Sequence, residues 1–132
     1  MENATTAPPI EYPKVLIGGA EAELRVSQYS TYLLSKAGIG PAQLEEFADP
    51  ASGHRFYISF ELFAALAGWR LQKDGQRVPT ADEWALRLSE EKDPSATYRM
   101  MCAAITEAYA KARPVEEKKA PAPPASAEPP SL

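Results

Sequence analysis

The 132-residue chain predicts a mostly helical α+β domain. Three features carry that expectation: short apolar runs on either side of Gly18-Gly19, several stretches with apolar residues at helical spacing, and helix-start residues ahead of those stretches. The expected architecture is an N-terminal β-hairpin followed by a bundle of about four to five short helices, with disordered termini. Residues 1–11 read as a flexible lead, 12–113 as one folded domain and 114–132 as a Pro/Ala-rich tail. The 13 prolines lie mainly at the two ends, which places the core in the middle of the chain.

In the hairpin, Lys14-Val15-Leu16-Ile17 and Ala22-Glu23-Leu24-Arg25-Val26 are the expected strands, with Gly18-Gly19-Ala20-Glu21 as the turn. The paired glycines accept the positive φ of tight hairpin turns. Ala22, Leu24 and Val26 alternate with Glu23 and Arg25, so one face is buried and one is wet. A lone hairpin is marginal, and this one must lie on helices. Ser27 is the expected N-cap of a helix over residues 28–37, with Tyr29, Tyr32, Leu33 and Lys36 at helical spacing, ended by Gly38. Pro41 opens a second helix whose Leu44, Phe47 and Ala48 face inward until Asp49-Pro50. Residues 51–54 form a loop. Arg55 to Ile58 fits either a third strand or an extended lead.

The stretch Ile58 to Leu71, ISFELFAALAGWRL, is the most apolar in the chain. Only Glu61, Gly68 and Arg70 interrupt its apolar residues, so apolar surface runs nearly round the cylinder, with Ser59 as the expected cap. A surface helix has one apolar stripe; this one needs cover on several sides. Thr80-Ala81-Asp82-Glu83 then reads as a capping box ahead of a helix with Trp84, Ala85 and Leu88 inward. Asp93-Pro94 opens the last helix, with Tyr98, Met101, Cys102, Ile105, Tyr109 and Ala112 on its packing face. From Pro114 onward, six of nineteen residues are proline, a composition suited to a linker.

Charge and composition narrow the function. Between Tyr12 and Arg113, 12 Lys and Arg stand against 13 Asp and Glu, which offers no basic footprint for nucleic acid. The first ten residues have neither a basic n-region nor an apolar h-region and do not read as a secretory signal. No stretch has the length of a membrane span. The lone cysteine, Cys102, sits among apolar residues and reads as an inert core thiol. His54 has no cysteine or carboxylate at a metal-ligand interval. The acidic pairs Glu45-Glu46, Asp82-Glu83 and Glu90-Glu91 are adjacent on helices, so their members point to different faces. Catalytic residues, metal and cofactor are therefore expected to be absent. What remains is apolar surface. Phe60, Phe63, Leu66, Trp69, Leu71 and Trp84, with Arg70 beside them, are the candidate partner-binding residues; for each, burial in the core is the ordinary alternative.

In layout the chain resembles the small tail assembly chaperones of long-tailed bacteriophages and related phage-like elements. The segments that carry the resemblance are the hairpin and helix YPKVLIGGAEAELRVSQYSTYLLSKAG, the apolar helix ISFELFAALAGWRL and the following VPTADEWALRL. They span roughly Tyr12 to Arg113. The resemblance implies a non-enzymatic protein that works in the host bacterial cytoplasm and is missing from the finished virion. It would bind the tape measure protein, keep it soluble and help recruit tail tube subunits. It also implies a partnership with itself or with a longer frameshifted form, for which the proline-rich tail would be a linker. The long tail and the residues around Ser52-Gly53-His54 depart from the compact family pattern. A helical adaptor or homo-oligomerisation module of a cellular complex is the alternative reading of the same apolar surface.

Overall fold

The computed structural model describes residues 11–119, with side chains through residue 112. An antiparallel hairpin, β1 (Lys14–Ile17) and β2 (Ala20–Glu23), precedes five helices: α1 (Gln28–Lys36), α2 (Pro41–Ala48), α3 (Arg55–Lys73), α4 (Ala81–Ser89) and α5 (Pro94–Lys119). The fold is α+β and mostly α. The expectations for residues 1–10 and 120–132 lie outside the described residues. The helix α5 runs six residues past Arg113, so the boundary expected at Pro114 is not a helix end. Proline inside a helix costs about 3 kcal/mol, but the Glu and Lys residues that follow it are good helix formers.

The turn is tighter than the sequence reading has it. Gly18 and Gly19 take φ of 60° and 80°, and they alone join strands paired Ile17 to Ala20 and Lys14 to Glu23. Two positive-φ residues in a row define the two-residue turn that matches strand twist. Val15, Ile17, Ala22 and Leu24 form the buried face. Past β2 the chain stays extended: Leu24 N–H donates to Pro13 O at 2.8 Å, and Arg25 N–H donates to Leu66 O at 3.0 Å. The second bond fastens the hairpin directly to α3.

At the centre lies α3, in contact with α1, α2, α4, α5 and β2. Its all-round apolar sequence is explained by that position, since an unbroken band from Ile58 through Phe60 and from Leu62 through Gly68 is buried apart from Ala64. Each large side chain so buried stabilises the fold by roughly 1.5–3 kcal/mol. At Gly68 an added Cβ would meet Leu33 Cδ1 at 3.0 Å, so the missing side chain is what lets α1 approach this closely. The helix begins at Arg55, after an N-cap at His54, which corrects both the expected cap at Ser59 and the strand or lead over residues 55–58. Ser59 is fully buried, with its hydroxyl 2.6 Å from Phe56 O and 3.0 Å from the Tyr98 hydroxyl.

Two helix faces are rotated from expectation. In α1 the buried residues are Ser30 and Leu34, while Tyr32 is 57% exposed. Ser30 can be buried because its hydroxyl serves both the Ser27 amide and the Ser27 carbonyl. In α2, Phe47 is buried, Leu44 half-buried and Ala48 exposed. The Thr80 capping box is present, with Glu83 N–H to Thr80 Oγ1 at 3.2 Å and Thr80 N–H to Glu83 Oε1 at 2.8 Å. Asp93 caps α5 through Oδ1, which accepts from the Ala96 amide at 3.1 Å.

Candidate functional site

Four of the seven candidate partner-binding residues belong to the core. Phe60 is 4% exposed, Phe63 and Leu66 are fully buried, and Trp84 is 1% exposed. Phe63 and Trp84 meet edge to face, with ring centroids 4.9 Å apart, the arrangement that aligns positive ring edge with negative ring face. Trp69 and Leu71 are half-buried, and Arg70 is exposed with its Nε 3.3 Å from Asp74. Trp69 is occupied by Arg25, whose guanidinium carbon lies 3.6 Å from the ring centroid. The seven residues therefore do not form one surface. The helix that sequence reading singles out spends its apolar side chains on its own neighbours.

A different surface, apolar towards both ends and polar between them at Arg55 and Arg99, opens along α5. Four cavities of about 390, 260, 320 and 570 Å³ lie end to end. Neighbouring ones share Tyr98 and Arg99, then Arg55 and Thr106, then Leu44 and Tyr109. With these shared side chains between them, the four follow one another as a segmented trough. Its α5 wall runs from Pro94 through Tyr98, Cys102 and Thr106 to Ala110, about 24 Å at 1.5 Å per residue. The facing wall is built in turn from Leu88 of α4, Arg55 and Phe56 at the start of α3, Leu44 and Phe47 of α2, and Ile39 in the α1–α2 connection.

Local structure places these side chains. Because α3 starts at Arg55, Phe56 is carried on its first turn, where it stays 58% exposed while touching Phe60 and Tyr98 at centroid distances of 5.2 and 5.0 Å. Arg55 Nε donates to Phe47 O at 2.7 Å, which ties the end of α2 to the start of α3. Cys102 is buried, whereas Ala103, Thr106 and Ala110 are exposed. Burial pushes the Tyr98 and Tyr109 hydroxyls above their ordinary pKa. Arg55 and Arg99 are the charged residues of the trough, and no carboxylate lines any of its four parts.

Another cavity, of about 350 Å³ between α1, α3 and the lead into α4, has the opposite charge, with Glu61 and Asp82 in its wall. Burial, and then Asp82, push the Glu61 carboxyl above its ordinary pKa. Among the described residues no three His, Cys, Asp or Glu side chains come together as a metal site. His54 is exposed and 3.2 Å from Glu46. No helix among the described residues is long and apolar enough to cross a membrane.

The sequence reading missed the trough because the expected packing face of α5 mixes two sets of residues. Met101 and Ile105 are core, Tyr98 and Tyr109 border the trough, and Cys102 belongs to both sets. The small residues Ala103, Thr106 and Ala110, at helical spacing beside that face, were the available signal. No family model matches the chain, and no curated protein or solved structure matches it.

Proposed function

We propose that this chain is a tail assembly chaperone of a long-tailed bacteriophage or a related phage-like element. On this reading it binds the tape measure protein, keeps it soluble and helps recruit tail tube subunits. It acts in the host cytoplasm by binding alone, without cofactor or catalysis, and leaves before the virion is complete. The observation that carries the reading is the open trough along α5, whose apolar parts are bordered by Phe56, Tyr98, Leu44 and Tyr109. Non-directional apolar contact accommodates varied segments of a long client, as an enzyme pocket would not. The hairpin-and-helices layout that carries the resemblance supports the same reading.

Co-expression with the tape measure protein from the neighbouring gene tests it. The tape measure protein should shift to the soluble fraction and co-elute with this chain on gel filtration. Unchanged solubility with no complex would sink the proposal. The second reading, a homo-oligomerisation or adaptor module, is favoured by Leu16, Leu86 and Met100, which are 60%, 63% and 57% exposed and do not line the trough. A stable dimer by sedimentation that ignores tape measure segments would select it.

A further inference from the structure

We infer that the α5 trough seats a single amphipathic helix that carries carboxylates beside its apolar stripe. The inference deepens the client-capture reading and rests on it.

Three observations carry the assignment. The α5 wall rises about 24 Å from Pro94 to Ala110, the rise of about sixteen helical residues, along an i, i+4 row inclined to the helix axis as the ridge of a packed helix is. The walls of the trough are helices and connections, and neither strand of the hairpin contributes to it. An extended segment would find no open sheet edge there to pair with, which favours an occupant that satisfies its own backbone, as a helix does. Ala103 and Ala110 are small and exposed, which permits the close axial approach of packed helices.

Charge decides the chemistry of the flanks. Arg99 is exposed on the α5 wall and Arg55 stands on the facing wall. Among the described residues neither makes an ion pair. Arg55 is half-buried, with Nε committed to the Phe47 carbonyl and its guanidinium carbon 5.0 Å from the Phe47 ring centroid. Its terminal nitrogens make no hydrogen bond among the described residues and can meet a carboxylate in the fork geometry guanidinium favours. A helix flanked by lysine would meet like charge from both walls.

Binding of two labelled helical peptides of about sixteen residues tests the inference, with the full chain and fluorescence anisotropy as readout. Both carry leucine along one stripe; one has glutamates on its flanks and the other lysines. The glutamate peptide should bind about tenfold tighter, since each exposed pair contributes a few-fold. That preference should shrink at salt on the order of 0.5 M. Arg99→Glu, at an exposed position and checked for folding by circular dichroism, leaves Arg55 opposed by a carboxylate and should abolish the preference.

Equal binding of the two peptides overturns the inference, as does a preference that Arg99→Glu leaves unchanged. Binding of neither peptide also overturns it, and if the chain then sediments as a dimer a second copy becomes the occupant. The co-expression experiment separates the two levels. A retained peptide preference without rescue of the tape measure protein removes the phage reading alone. Rescue by wild type and Arg99→Glu alike, with no peptide preference, removes this inference alone.

Discussion

The Arg25 guanidinium lies 3.6 Å from the Trp69 ring centroid and 4.0 Å from that of Tyr12. One side chain thus joins the segment before β1, the exit from β2 and the last turns of α3. Its Nη2 is 3.3 Å from Glu23, while its Nε is buried with no hydrogen-bond partner among the described residues. Cation–π contacts contribute about 0.5–2 kcal/mol according to how far they are desolvated. Arg25→Ala should therefore lower unfolding stability in urea by about 1–2 kcal/mol. Arg25→Lys should recover only part of it, because an ammonium does not stack as a planar guanidinium does.

The two turn glycines should differ in their tolerance of a side chain. Both have positive φ, which costs a non-glycine residue about 1–2 kcal/mol. A Cβ at Gly18 would also meet Arg87 Cβ at 3.0 Å, whereas one at Gly19 meets nothing within 4 Å. Gly18→Ala should destabilise by more than Gly19→Ala in thermal melts. Equal effects would mean that backbone strain alone sets the cost.

Glu83 should make α4 acid-sensitive. The Arg77 guanidinium, bonded to both carboxylate oxygens at 2.9 Å, and then the Thr80 amide hold its pKa down to about 2. The unfolded value is about 4.3. A depressed pKa means that this contribution is complete above the unfolded value and is lost as pH falls from about 4.3 towards 2. Arg77→Ala should flatten the stability profile across that window, measured by denaturant titration at stepped pH.

Glu61 should behave with the opposite sign. Burial first, and Asp82 second, raise its pKa, so folding favours the protonated form. The favourable contribution is present below the unfolded value and disappears as pH rises through the folded one. Glu61→Gln should stabilise the chain at neutral pH and have little effect at acid pH. A variant less stable than wild type at pH 7 would show that the carboxylate has a favourable role there.

Core and surface aromatics should separate cleanly. Phe63→Ala removes a fully buried ring packed on Trp84 and should cost about 3–5 kcal/mol. Phe56→Ser removes a ring more than half exposed and should cost under about 1 kcal/mol; under the proposed chaperone function it should also weaken client binding. Urea unfolding alongside a pull-down of the tape measure protein reads both effects.

Local chemistry made much of the fold legible. Gly18-Gly19, Thr80 with Glu83, Asp93-Pro94 and the spacing in α5 each specify a turn, a cap or a helix from neighbouring residues alone. The start of α3 was misread because Ser59 has cap chemistry; its hydroxyl instead lies buried near Tyr98, a residue 39 positions away. The candidate site was less legible. Apolar residues report that burial is needed without saying what buries them, so Phe60, Phe63, Leu66 and Trp84 looked like an interface and are core.

By itself the sequence determined the hairpin, the helical succession and the demand that Ile58 to Leu71 be covered, because these follow from backbone propensity and hydrophobic period. Only the tertiary structure decided which surface stays open. Five elements close around α3 and consume its apolar excess. The faces of α2, α3 and α5 that meet at Arg55 and Tyr98 do not close, and they leave the trough. Burial is a property of the packed assembly of helices, and no single helix's sequence contains it.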